Sequence, residues 1–93
     1  MPRLSITRIR NLVRSLNYVV SVHGTEELED DNLTILDLEN IVLSGRIVAR
    51  QKDRETRESK IVIRGRALDG REAEAIVKIS LSGVLYFITV YLG

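Results

Sequence analysis

At Gly45 the hydrophobic period of this chain changes, and that switch limits the folds open to it. Upstream, Ile6, Ile9, Leu12, Val13 and Leu16 recur at helical spacing, as do Ile35, Leu38, Ile41 and Val42. Such spacing lines one face of a helix. Downstream, "RIVARQK", "KIVIRGRA" and "EAEAIVKISL" alternate, and "VLYFITVYL" is a long apolar, β-branched run. A period of two marks strands. A chain of 93 residues has room for one modest core. The predicted fold is therefore α+β, one domain over residues 1–93. Two or three N-terminal helices pack on one face of a four-stranded antiparallel sheet.

Punctuation refines the elements. The first helix is predicted over 4–16, with Arg8, Arg10 and Arg14 between its apolar residues. Ser21 is a candidate N-cap for a second helix over about 22–31, whose first turn holds His23. "TILD" reads as a capping box that opens a third helix, with Gly45 as a left-handed C-terminal position. "DRETRES", "LDGR" and "LSG" read as turns. Links this short imply a meander of antiparallel neighbours.

Composition excludes several classes. The chain is 44% hydrophobic and 29% charged, too apolar to be disordered. It has no cysteine and one histidine, so a disulfide scaffold is excluded and a transition-metal site is not expected. No cofactor is expected either. The N-terminus carries four arginines and lacks the apolar run of a secretory signal or a membrane span. Mitochondrial presequences share its Arg-rich, acid-poor character, but an amphipathic surface helix is the simpler reading. The expected location is cytoplasmic.

The net charge of +1 conceals a polarised chain. Residues 1–25 hold four bases and no acid, and residues 26–39 hold seven acids and no base. Residues 46–71 hold nine bases against four acids. Such asymmetry suits a polyanion on one side, a basic partner on another, or neutralisation within the fold.

Helices cover one sheet face, so alternation indicates what the other displays. Ile61, Ile63 and Gly65 oppose Val62, Arg64 and Arg66. Ala73, Ala75, Val77 and Ile79 oppose Glu74, Ile76 and Lys78. In the last strand Val84, Tyr86, Ile88 and Val90 oppose Leu85, Phe87, Thr89 and Tyr91. With the aliphatic sets under the helices, the open face displays Arg64, Arg66, Lys78, Thr89 and Tyr91, plus Arg50 and Lys52 from the first strand. A cationic face bearing an aromatic suits a phosphate backbone and base stacking. Charge alone fits a solvated face better, with Glu55, Glu58 and Glu74 as internal partners. His23 alone reads as a surface histidine, the acids at 26–31 as a solvated helix face, and Tyr91 as half-buried packing. Lys78, set among apolar neighbours, is a candidate acid or base.

Several segments carry a family resemblance: "VVSVH", Glu26, Glu27, Leu28 and Asp31, "NLTILDLENIVLSGRIVARQKDRET", "KIVIRGRALDGRE" and "ITVY". Over roughly residues 18–92 the chain resembles a prokaryotic domain of unknown function grouped with the BrnT and RelE-like toxins. The resemblance implies a RelE-like fold, and a type II toxin that cleaves RNA without a metal by attack of a ribose 2′-OH on the adjacent phosphate. It also implies a small antitoxin partner of zinc-finger type, as beside MqsR-like toxins, or of helix-turn-helix type. His23, Asp53, Arg64, Gly65, Lys78, Thr89 and Tyr91 stand at recurrent positions. On this basis the catalytic candidates are His23, Lys78 and Tyr91, and the phosphate-binding candidates are Lys52, Lys60, Arg64 and Arg66. The chain departs from the pattern at Glu27 and Asp31, where many relatives have arginines, and at Ile61, where an aromatic is usual. Two further readings stand beside the ribonuclease: a non-catalytic module that binds nucleic acid or protein, and a homodimer joined through "VLYFITVYL" as an exposed edge.

Overall fold

In a computed structural model, residues 4–52, 55 and 58–93 are described. Asp53, Arg54 and Arg57 lie outside them, so the expectation for Asp53 has no structural counterpart here. Helix α1 (Ile6–Arg14) is capped by Ser5, whose side chain accepts from the Arg8 amide, and it buries Ile9 and Val13. It ends where Leu16 takes a positive φ of 61°. A short strand β1 (Tyr18–Val20) follows, then α2 (Val22–Asp30), capped by Ser21. Helix α3 (Ile35–Ser44) opens with the predicted capping box: Thr34 and Asp37 satisfy each other's backbone amides. Four strands complete the chain: β2 (Arg46–Lys52), β3 (Ser59–Arg66), β4 (Glu72–Ile79) and β5 (Leu85–Leu92).

The fold class is α+β as predicted, but the sheet is larger. Among the described residues three helices accompany five strands in the order β1-β5-β4-β3-β2. Strand β1 runs parallel to β5 and the remaining pairs are antiparallel, so the sheet is mixed. The four-stranded antiparallel expectation is corrected by β1, three residues whose partner lies 67 positions on, with Tyr18 opposite Leu85. The same strand corrects the expectation that β5 is a bare edge: β5 lies between β1 and β4, with β1 paired along its first three residues, Leu85 to Phe87.

The core fills the space between the helices and one sheet face. Ile9, Val13, Leu38, Ile41, Ile61, Ile63, Leu85 and Phe87 are its largest buried members, and Tyr18 packs edge-on against Phe87 at 5.5 Å between ring centres. Helix α3 meets β3 backbone to backbone. A Cβ placed on Gly65 would come within 2.0 Å of the Ile41 carbonyl oxygen, and one on Gly45 within 2.4 Å of the same atom. Gly45 is therefore glycine for clearance. Its φ of −93° and ψ of 179° are extended, which corrects the expected left-handed position. Gly70 and Gly83, at φ 89° and 87°, do supply the left-handed residues of the two tight turns.

Two bulges decide which side chains share a face. Opposed residues in a ladder project to the same side. On β5, Phe87 pairs with Val77 and Thr89 with Ile76, leaving Ile88 as the extra residue. Leu85 and Phe87 therefore point into the core with Val90, while Tyr86, Thr89 and Tyr91 point out. Simple alternation had Leu85 and Phe87 outside and Tyr86 inside; both are reversed. On β2 the extra residue is Val48. Arg50 and Lys52 pair with Ile61 and Ser59 and stand on the helix-covered side, near Leu4. Their expected place on the open face is corrected by this bulge.

Candidate functional site

The open face carries a row of three side chains in cross-strand register. Arg64 on β3 faces Glu74 on β4, which faces Tyr91 on β5. Arg64 Nη1 lies 2.6 Å from Glu74 Oε2, and the Tyr91 hydroxyl donates to Glu74 Oε1. Only 17% of the Glu74 side chain is exposed, so this carboxylate sits within the face. Its two oxygens are engaged from both neighbouring strands. The Tyr91 bond, with help from Arg64, holds the Glu74 carboxyl below the usual carboxylate range, and the same bond raises the Tyr91 phenol. At neutral pH the row is a carboxylate between a guanidinium and a protonated phenol.

Glu72, two residues earlier on β4, extends the cluster. Its Oε2 accepts from Arg64 Nη2 at 2.9 Å and its Oε1 lies 3.7 Å from Arg66 Nη2. The Arg64 hydrogen bond is the main reason its carboxyl is depressed. Arg46 pairs with Arg64 across β2 and β3, so it joins the same face. Arg46, Arg64, Arg66, Glu72, Ser44 and Gly65 line a shallow cleft of about 320 Å³.

The other predicted residues are distributed more widely. Lys78 shares the open face, opposite Tyr86, and is paired with Glu58 at 3.1 Å. Four residues along β4 separate it from Glu74, or about 13 Å at strand rise. Lys60 is on the open face opposite Gln51, and Thr89 is there opposite Ile76. Lys52 is not, being on the helix side. His23 sits on α2 with its Nε2 3.3 Å from Glu27 Oε1, and that same oxygen accepts the Val90 amide at 3.0 Å. Helix α2 thereby continues the cover that β1 gives to the border of β5. Tyr91, Arg64 and Arg66 are brought together; His23 and Lys78 belong to different parts of the molecule.

The residue that binds the cluster together, Glu74, was read from the sequence only as a possible internal partner. The signal was present in "RGRALDGREAE": a tight turn at Asp69-Gly70 sets Arg66 against Glu72 and Arg64 against Glu74. Arg46 carried no such signal, because β2 is joined to β3 by a longer link. Among the described residues no group of acids or histidines is placed to hold a metal, and no helix is long and apolar enough to cross a membrane.

No curated protein and no solved structure matches this chain. Residues 20–92, which span α2, α3 and the four long strands with the last residue of β1, match a family model described as "Domain of unknown function (DUF4258)", and the chain belongs to that family.

Proposed function

We propose that the open sheet face is the active surface of a metal-independent endoribonuclease, the toxin of a type II toxin–antitoxin pair with a RelE-like fold. The observation that carries this reading is the Arg64–Glu74–Tyr91 row on a face that no helix covers among the described residues. The resemblance of "KIVIRGRALDGRE" and "ITVY" to RelE-like toxins supports it from the sequence. In this reading a phosphodiester oxygen displaces a carboxylate from Arg64. Glu74, relieved of that guanidinium and of the Tyr91 hydroxyl as it turns to the leaving oxygen, regains basicity and takes the proton of a ribose 2′-OH. The 2′ oxygen attacks phosphorus, the bond to the 5′ oxygen breaks, and the Tyr91 hydroxyl gives that oxygen its proton. Arg64 and Arg66 stabilise the charge that builds on the phosphate oxygens. The products are a 2′,3′-cyclic phosphate and a 5′-hydroxyl. Lys78 and Lys60 bind flanking phosphates on the same face, and His23 stands outside the proton path. The partner is a small antitoxin that covers this face.

Incubation of the purified protein with single-stranded RNA tests the proposal. Fragments ending in a 2′,3′-cyclic phosphate, lost in Glu74→Gln, are expected. Intact RNA, with growth unaffected on induction, rules the enzyme out.

One observation favours a second reading, a binding module without chemistry. Arg64 is already held by two carboxylates and Lys78 by a third, so these two cations are engaged at rest. That module retains RNA with a steep dependence on salt and releases no product.

A further inference from the structure

The cleft at the β2–β3 end of the open face is cationic beyond what its own carboxylate can satisfy. Arg46 and Arg64 stand directly opposite each other, and Arg66 is the diagonal neighbour on the same side. Like charges in opposed positions destabilise a sheet unless something lies between them. Glu72 is the anion of the cleft lining, and its hold is uneven: 2.9 Å to Arg64, 3.7 Å to Arg66, and no ion pair to Arg46. Among the described residues Arg46 forms no ion pair with any acid.

The two acids of the cluster differ in how firmly they are placed. Glu74 is 17% exposed and tied on both oxygens, whereas Glu72 is 52% exposed at the first position of its strand. Glu72 is thus free to swing away without unmaking the row. A flat carboxylate has two oxygens to share among three guanidiniums. A tetrahedral phosphate has more acceptors and reaches all three, in the bidentate geometry that arginine favours.

We propose that Arg46, Arg64 and Arg66 form a phosphate subsite in which Glu72 is an internal competitor, occupying the arginines until a phosphate group displaces it. This deepens the reading of the open face given above and shares Arg64 and Arg66 with it, but it requires no cleavage. Either can therefore fail without the other.

The test is a titration of the folded protein, followed through the arginine Nε–Hε resonances. The probes are inorganic phosphate, adenosine 5′-monophosphate and a 2′-deoxy dinucleotide with one internal phosphodiester, which cannot be cleaved by 2′-OH attack. Shifts should centre on Arg46, Arg64 and Arg66. Glu72→Gln should tighten inorganic phosphate about fivefold or more, the worth of one unit charge at about 4 Å in water. Arg46→Ala should weaken it by a similar factor. If the dinucleotide binds tighter than the monophosphate, the subsite serves an internal chain phosphate; the reverse order assigns it to a terminal or free phosphate, and the subsite stands in both cases. Phosphate affinity unchanged in both variants, or shifts centred elsewhere, overturns it. Thermal unfolding of each variant confirms that the comparison is between folded proteins.

Discussion

Arg64 and Glu74 occupy directly opposed positions on neighbouring strands, 2.6 Å apart between Nη1 and Oε2, and Tyr91 closes on the far oxygen of the same carboxylate. If this row performs the chemistry, removing the guanidinium should lower the cleavage rate by about 10²–10³-fold, as for other groups that stabilise developing charge. Tyr91→Phe, which keeps the ring and removes the proton, should cost about 10²–10⁴-fold. Both side chains are partly solvated, so thermal unfolding should move little. Initial rates on a fluorogenic RNA beside melting curves will separate the two effects.

The contact of α3 with β3 leaves no room for a methyl group. Gly65→Ala puts a Cβ 2.0 Å from the Ile41 carbonyl oxygen and must push the helix off the strand. Overpacking of this kind costs about 3 kcal/mol. Urea unfolding should show the loss as a lower midpoint, and a change of less than about 1 kcal/mol would mean that the helix yields freely.

Asp37 links the start of α3 to the β3–β4 turn, accepting from the Thr34 amide at 2.8 Å and the Leu68 amide at 2.9 Å. These bonds, the Thr34 bond first, hold its carboxyl below its ordinary 3.8. A depressed folded-state value stabilises the fold above the unfolded-state value. That stability is lost as pH falls through the folded-state value. Asp37→Asn should therefore flatten the acid limb of a stability-against-pH curve, while Thr34→Ala removes about 1 kcal/mol at neutral pH.

Tyr18 donates to Glu39 Oε2 at 2.6 Å across the space between β1 and α3. Burial first, and then the Glu39 carboxylate, push its phenol up to about 12. The sign is opposite to that of Asp37: this stabilisation is complete below the unfolded tyrosine value and is lost as pH rises through the folded one. Phenolate absorbance should show a late alkaline step that Tyr18→Phe removes. The same substitution should cost about 1 kcal/mol at neutral pH for the lost hydrogen bond.

Local patterning carried most of the architecture. The helix spans, the capping box at Thr34 and Asp37, the Asp69-Gly70 turn and the two faces of β3 and β4 follow from residues adjacent in sequence. What stayed hidden depends on distant parts of the chain. The bulge at Ile88 is braced by α2: Ser21 Oγ donates to the Ile88 carbonyl and Glu27 accepts from the Val90 amide. Nothing in "LYFITVYL" announces it, since no glycine or proline marks the spot. The bulge at Val48 is equally silent, and it moved Arg50 and Lys52 off the predicted surface. Of the candidate site, Arg64, Arg66 and Tyr91 were legible from alternation. The role of Glu74 became visible only with the register of two ladders.

The guarding of β5 by β1 and α2 also governs how copies of the molecule can meet. Growth of a ribbon by strand addition requires two unclaimed borders on every unit. Here one border is β1, only three residues long, with α2 bonded to the stretch of β5 beyond it, and the other, β2, presents Arg46, Arg50 and Lys52. Strand addition is thus confined to a three-residue template at one end of the sheet and opposed by cation repulsion at the other.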